Sequence, residues 1–121
     1  MEARYVFGVT FRLRPQKGVE IEPATFETRL YRPADPPGES GWLFFRDNLW
    51  RGELADPGHF RELAEAALGV DVAAVDYRAF ETDEEYLEAL KEHIAADLQE
   101  FKASSVSETL NKYLGSSIEV Q

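Results

Sequence analysis

The chain has no cysteine, one methionine, two histidines and only four lysines among its 121 residues. Without cysteine there are no disulfides, no thiolate metal sites and no thiol nucleophile. His59 and His93 are far apart in sequence, which does not suggest converging metal ligands. They are expected on two different helices, at the surface or partly packed. No Gly-rich phosphate loop, dinucleotide fingerprint or G-x-S-x-G elbow occurs. No apolar run approaches a membrane-spanning length, and Met1-Glu2-Ala3-Arg4 opens without the basic and apolar pattern of an export signal. The expectation is a cytoplasmic protein with no catalytic residue, metal ligand or cofactor to name.

What is present is acid. Asp and Glu number 23 against 13 Lys and Arg, a net charge of -10. The imbalance is uneven. Residues 1–52 carry seven Arg, one Lys and seven acids, a net +1, whereas residues 53–121 carry 16 acids against five bases, a net -11. Such a chain is a poor non-specific nucleic-acid binder, because phosphate contacts need clustered Lys and Arg. Acid-rich, lysine-poor surfaces suit high salt, where carboxylates hold water and cations and screening removes their repulsion. With 44% hydrophobic and 12% aromatic residues, the chain is rich enough in apolar surface to fold, and its length predicts one domain over 1–121.

Residues 5–14 alternate, with Phe7, Val9, Phe11 and Leu13 set against Gly8, Thr10, Arg12 and Arg14, the period of a half-buried strand. Thr25 to Arg32 alternates as well, and the two runs predict an antiparallel pair. Gly8 suggests a bulge or a large neighbour such as a Trp. The segment 32–41, with three prolines and two glycines, is irregular. Trp42-Leu43-Phe44-Phe45 reads as a central strand, and Arg46-Asp47-Asn48 as a turn or bulge before Leu49-Trp50-Arg51-Gly52. Asp56-Pro57 starts a helix that Gly69 closes. Val72 to Phe80 is a further strand, with Phe80 facing as Asp76 and Arg78 do. Thr82-Asp83-Glu84-Glu85 reads as a capping box opening a long helix to about Ala103, with Leu87, Leu90, Ile94, Leu98 and Phe101 as its stripe. Ser105-Val106-Ser107-Glu108 opens a short helix ended by Gly115, and 118–120 form a last strand. The order βββαβααβ predicts an α+β two-layer sandwich: a mainly antiparallel sheet of about four or five strands covered by about three helices.

Glu84, Glu85, Glu88, Glu92 and Glu100 are expected on a solvated helix exterior. The segment richest in chemistry is Trp42 to Glu53, with both Trp, two Phe, two Arg, Asp47 and Asn48. Trp and Arg dominate binding hot spots, and Arg stacks on aromatics or clamps an anion in two bonds. The candidate set for a ligand or partner is Trp50, Arg51, Arg46, Asp47, Asn48, Glu53 and Trp42, extended over an exposed sheet face by Arg12 and Arg29. Its competing reading is structural: Trp42, Phe44 and Trp50 fill the core while the arginines pair with Glu27, Asp47 and Glu53 across strands. Two functions follow from the first reading. One is a non-catalytic interaction domain, forming a homodimer or binding a protein partner. The other is a sensor or modest enzyme for a phosphate or carboxylate, sited between the proline-rich loop and Arg46, Trp50 and Arg51.

Leu49-Trp50-Arg51, within Trp42-Leu43-Phe44-Phe45-Arg46-Asp47-Asn48-Leu49-Trp50-Arg51-Gly52-Glu53, resembles the LWR-salt proteins of haloarchaea. The likeness extends to Arg32-Pro33-Ala34-Asp35-Pro36-Pro37-Gly38 and Lys112-Tyr113-Leu114-Gly115-Ser116-Ser117-Ile118. It implies a halophilic archaeal, cytoplasmic origin. It implies no activity and carries over no catalytic residue.

Overall fold

The computed structural model describes residues 1–15 and 17–121. The fold is α+β. Strand β1 (Ala3–Arg12) pairs antiparallel with β2 (Thr25–Pro33) on one side and with β5 (Asp71–Thr82) on the other. Strand β6 (Ile118–Val120) adds in parallel to the end of β5, giving the order β2-β1-β5-β6. The described residues include four α-helices: α1 (Phe44–Asn48), α2 (Pro57–Leu68), α3 (Glu84–Ala95) and α4 (Val106–Leu114). A two-residue pair, β3 (Leu49–Trp50) with β4 (Glu53–Leu54), forms a separate small hairpin.

Alternation dictates the layering. Tyr5, Phe7 and Val9 point to the helical side with Val75, Tyr77 and Phe80 opposite them, and all are buried. Helical residues Ala64, Tyr86, Leu90, Ile94, Tyr113 and Leu114 close over this face as one cluster. The rings interlock: Tyr5 against Phe44 at 4.6 Å and Phe80 at 5.1 Å, and Phe7 stacked on Phe60 at 5.6 Å. Among the described residues no helix packs over the other face. Its residues are Arg4, Val6, Gly8, Thr10 and Arg12 of β1, flanked by Tyr31, Arg29 and Glu27 of β2 and by Ala79, Asp76 and Ala74 of β5.

Several sequence expectations are corrected. Trp42–Phe45 is not a central strand. It is a turn running into α1, because helical spacing puts Trp42, Phe45 and Leu49 on one side, with Phe45 and Leu49 buried. Arg46, Asp47 and Asn48 therefore lie in a helix and not in a bulge. The register of β5 shifts twice against β1, between Val6 and Phe7 and between Thr10 and Phe11. The extra residue at Arg78 turns Phe80 inward, contrary to simple alternation. Leu13, expected in the core, lies past the end of β1 and is exposed. Gly8 does sit under a large neighbour, but that neighbour is the Arg78–Asp76 ion pair and not a Trp. A Cβ there would lie 2.6 Å from Asp76 Oδ1 and 2.7 Å from Arg78 Nε.

The long helix ends at Ala95, and a 3-10 turn, Leu98–Phe101, follows. The break lets Phe101 enter the core, stacked on Phe45 at 5.8 Å. Lys112 Nζ donates to the freed Phe101 carbonyl at 2.8 Å. The N-cap of α3 is Asp83 and not Thr82. Its carboxylate accepts from the Tyr86 amide at 2.7 Å and the Glu2 amide at 2.8 Å, while Thr82 is buried in β5. Those bonds, the Tyr86 amide first, hold the Asp83 carboxyl below its ordinary range.

Candidate functional site

The Leu49-Trp50-Arg51-Gly52 segment forms a two-residue hairpin turn. Arg51 and Gly52 both have positive φ, 53° and 80°, as a type I′ turn requires. Asn or Gly is usual at the first of these positions. An Arg there carries strain of about 1 kcal/mol. Alternation in the hairpin buries Leu49 and Leu54 and turns Trp50 and Glu53 outward. Trp50 is 46% exposed.

The turn seats on the end of α4. The Arg51 amide donates to the Lys112 carbonyl at 2.8 Å and the Gly52 amide to the Tyr113 carbonyl at 3.0 Å, satisfying acceptors that a helix end leaves open. The backbones touch: a Cβ on Gly115 would lie 3.0 Å from the Arg51 oxygen. Here glycine is required by close approach as well as by φ. The Trp50 ring meets Tyr113 edge-on at 6.0 Å. The Arg51 guanidinium lies 5.7 Å from the Trp50 ring centre and Lys112 Nζ 5.8 Å.

Beside this cluster is a hollow of about 420 Å³ lined by Trp50, Arg51, Glu108, Asn111 and Lys112. Glu108 is committed to its own helix start. Its carboxylate accepts from the Ser104 hydroxyl and amide, which hold it below its ordinary range. Arg51 joins no ion pair among the described residues, and in particular is not locked to Asp47 or Glu53.

The remaining candidates lie elsewhere. Trp42 is half-buried at the core's edge, against Phe101 at 6.1 Å and His93 at 5.7 Å. Arg46 is engaged by Asp47 at 2.9 Å and by Glu100, and the Asp47 bond raises its pKa. Asn48 Nδ2 donates to the Phe44 carbonyl at 3.0 Å. Arg46, Asp47, Asn48 and Trp42 line a separate hollow of about 510 Å³ with Arg32 and the proline-rich loop. That loop is tethered: the buried Tyr86 hydroxyl donates to the Asp35 carbonyl at 2.6 Å, and burial, with Asp35 adding to it, pushes this phenol up to about 12. Arg12 and Arg29 sit on the open sheet face. The candidate set is therefore split over three places. Trp50, Arg51 and Glu53 share the hairpin, the α1 group shares the loop hollow, and the sheet arginines stand apart.

Among the described residues no arginine pairs with Glu27 or Glu53. Trp50 is outside the core, while Phe44 and Trp42 flank it. Sequence reading missed the α4 contribution, Glu108, Asn111 and Lys112, which lies about sixty positions from Trp50 with no local signal. It also missed a cleft of about 640 Å³ lined in part by Arg4, Tyr31, Glu81 and Tyr86. There Arg4 lies 4.0 Å over the Tyr31 ring and donates to Glu81 at 2.7 Å. The hint was the polar half of the β1 alternation.

Among the described residues no group of three His, Asp or Glu side chains is arranged to hold a metal ion, and no helix is long and apolar enough to cross a membrane. No curated protein and no solved structure matches the chain. The sequence model of the LWR-salt proteins matches residues 1–121; the chain's own Leu-Trp-Arg run lies in the hairpin, with Leu49 buried, Trp50 exposed and the Arg51 amide bonded to the end of α4. The chain belongs to the LWR-salt protein family.

Proposed function

We propose that the protein is a non-catalytic interaction domain that grips a carboxylate-bearing segment of a protein partner with Trp50, Arg51 and Lys112. One observation carries this reading. A solvent-facing Trp and an Arg that joins no ion pair among the described residues are held side by side on a turn that is anchored to a helix end. An exposed indole beside an unpaired guanidinium offers an apolar face and a bidentate anion clamp together. A strained residue is retained where its position matters. We propose further that the domain works in a salt-rich cytoplasm. There the Debye length falls to about 3 Å at 1 M, so recognition leans on short contacts and on the indole.

The test is titration with a peptide of alternating Glu and Leu in about 1 M KCl, followed by tryptophan emission. Saturable binding that Trp50→Ala and Arg51→Gly both weaken is expected. Absence of saturation, or binding indifferent to both changes, would overturn the reading.

A second reading has its own support in the hollow of about 420 Å³ beside Arg51, which suits a small phosphate or carboxylate. A melting temperature raised by millimolar phosphate and insensitive to the peptide would favour it.

A further inference from the structure

Strand β2 is the open edge of the sheet: it pairs with β1 and with no other strand among the described residues. Its register with β1 is unbroken, so its hydrogen-bonding direction can be followed along its length. The Leu13 amide donates to the Ala24 carbonyl at 3.0 Å, and the Ala34 amide donates to Ala3 at 2.9 Å. By alternation, the even positions Phe26, Thr28, Leu30 and Arg32 turn their amides and carbonyls toward β1. Thr25, Glu27, Arg29 and Tyr31 turn theirs outward. An unpaired row of this kind templates another strand unless something blunts it.

We infer that β2 is the seam of a homodimer, pairing antiparallel with β2 of a second copy about a two-fold axis through Thr28. The inference rests on the interaction-domain reading but uses a different surface. Three features select this register. First, it sets Glu27 opposite Arg29 of the other copy, and Arg29 opposite Glu27. Neither residue joins an ion pair within the described part of the chain. An axis through Glu27 or Arg29 would oppose like charges, and an axis through Phe26 or Leu30 would leave the two unpaired. Second, the outward amides and carbonyls from Thr25 to Tyr31 all find partners, because Thr25 then faces Tyr31. Third, Pro23 and Pro33 lie five positions either side of Thr28 and face one another across the axis. Neither has an N–H, so the pairing stops at both ends of the same segment.

The helical side also fits. Phe26 and Leu30, both half-buried in the single chain, become opposite neighbours and extend the core stripe across the seam, with Phe26 already stacked on Phe11 at 5.7 Å. The seam lies in the near-neutral first half of the chain, and in the sheet β1 stands between it and β5 of the acidic second half. Such contacts between two copies, each of net charge -10, become more favourable as salt screens their mutual repulsion.

Sedimentation in about 2 M KCl tests the seam, since that salt removes long-range repulsion. The wild type is expected as a dimer. Arg29→Glu and Glu27→Arg each weaken it on the order of tenfold or more, because like charges then face each other twice. The two variants mixed, or the doubly swapped E27R/R29E chain, dimerise again. Melting curves confirm that each variant is folded. Independently, Thr28→Cys, the chain's sole thiol, oxidises to a covalent dimer, while Thr25→Cys does not, because only position 28 meets itself. A monomeric wild type, or a dimer indifferent to the charge swaps and uncrosslinked at 28, would overturn the seam. Retained peptide binding in that case would leave the Trp50 reading standing. Loss of Trp50-dependent binding with an intact swap pattern would do the reverse.

Discussion

The two faces of the sheet are closed by different chemistries. The helical face is shut by rings and aliphatic chains in contact, with Phe45, Phe80 and Phe101 almost wholly buried. Among the described residues no second layer covers the open face, yet Val6 there is 0% exposed and Ala79 only 7%. Side chains standing on the sheet close it: Arg4 lies over Tyr31 and pairs with Glu81, and Arg78 pairs with Asp76 at 2.6 Å across Gly8. One face is held by burial, which salt hardly touches, and the other by charge and stacking, which it does. The sheet face is thus open to solvent while Val6 and Ala79 stay buried, and of its large side chains Tyr31, under Arg4, remains 44% exposed.

The largest expected effect breaks the burial side. Phe45→Ala removes a ring packed on Trp42, Phe101 and Tyr113, and should cost roughly 3–5 kcal/mol in denaturant unfolding, about equally at low and high KCl. Salt itself comes next. The melting temperature should rise from about 0.1 to 2 M KCl as the carboxylates of residues 53–121 are screened. A flat response would remove the salt-adapted reading. On the open face, Arg4→Ala should cost ~1 kcal/mol in dilute buffer and less in salt, since it removes a stacked guanidinium and a partly exposed ion pair. Equal loss at all salt concentrations would mean that Arg4 acts by packing alone. Arg51→Gly sharpens the hairpin: relief of positive φ should stabilise the fold by up to about 1 kcal/mol while weakening peptide binding. The smallest effect concerns pH. Asp83 is held below its ordinary range, so its contribution is complete above the usual carboxylate pKa and fades as pH falls through the lowered one. The stability gap between wild type and Asp83→Asn should narrow over that acidic window.

These regions were not equally legible beforehand. β1, β2, α2 and α4 follow from local rules, and their partners are nearby or strongly patterned. Asp56 and Ser105 cap as expected, accepting from the His59 and Glu108 amides at 3.1 Å each. The apolar run Trp42–Phe45 is ambiguous by nature, because four consecutive apolar residues fit a buried strand or one side of a short helix. The stripe from Leu90 to Phe101 has helical spacing, but Phe101 is drawn into the core by Phe45 and Tyr113, which no local pattern reveals. Phe80 was misdirected by a bulge. At the candidate site, Trp50 and Arg51 stood out by composition. Their floor on α4 did not, because the contact is made through backbone carbonyls, which carry no residue identity.

The seat of the turn on α4 also sets the motions of this region. The amides of Arg51 and Gly52 lie at a hairpin tip, where exchange with solvent is ordinarily fast, yet both are bonded to the carbonyls of Lys112 and Tyr113. Their hydrogen exchange should follow the opening of α4 and not that of a loop. Residues 49–54 and 106–115 then form one cooperative unit from two distant stretches of chain. A peptide carrying Leu-Trp-Arg alone would keep the letters of the motif and lose its shape.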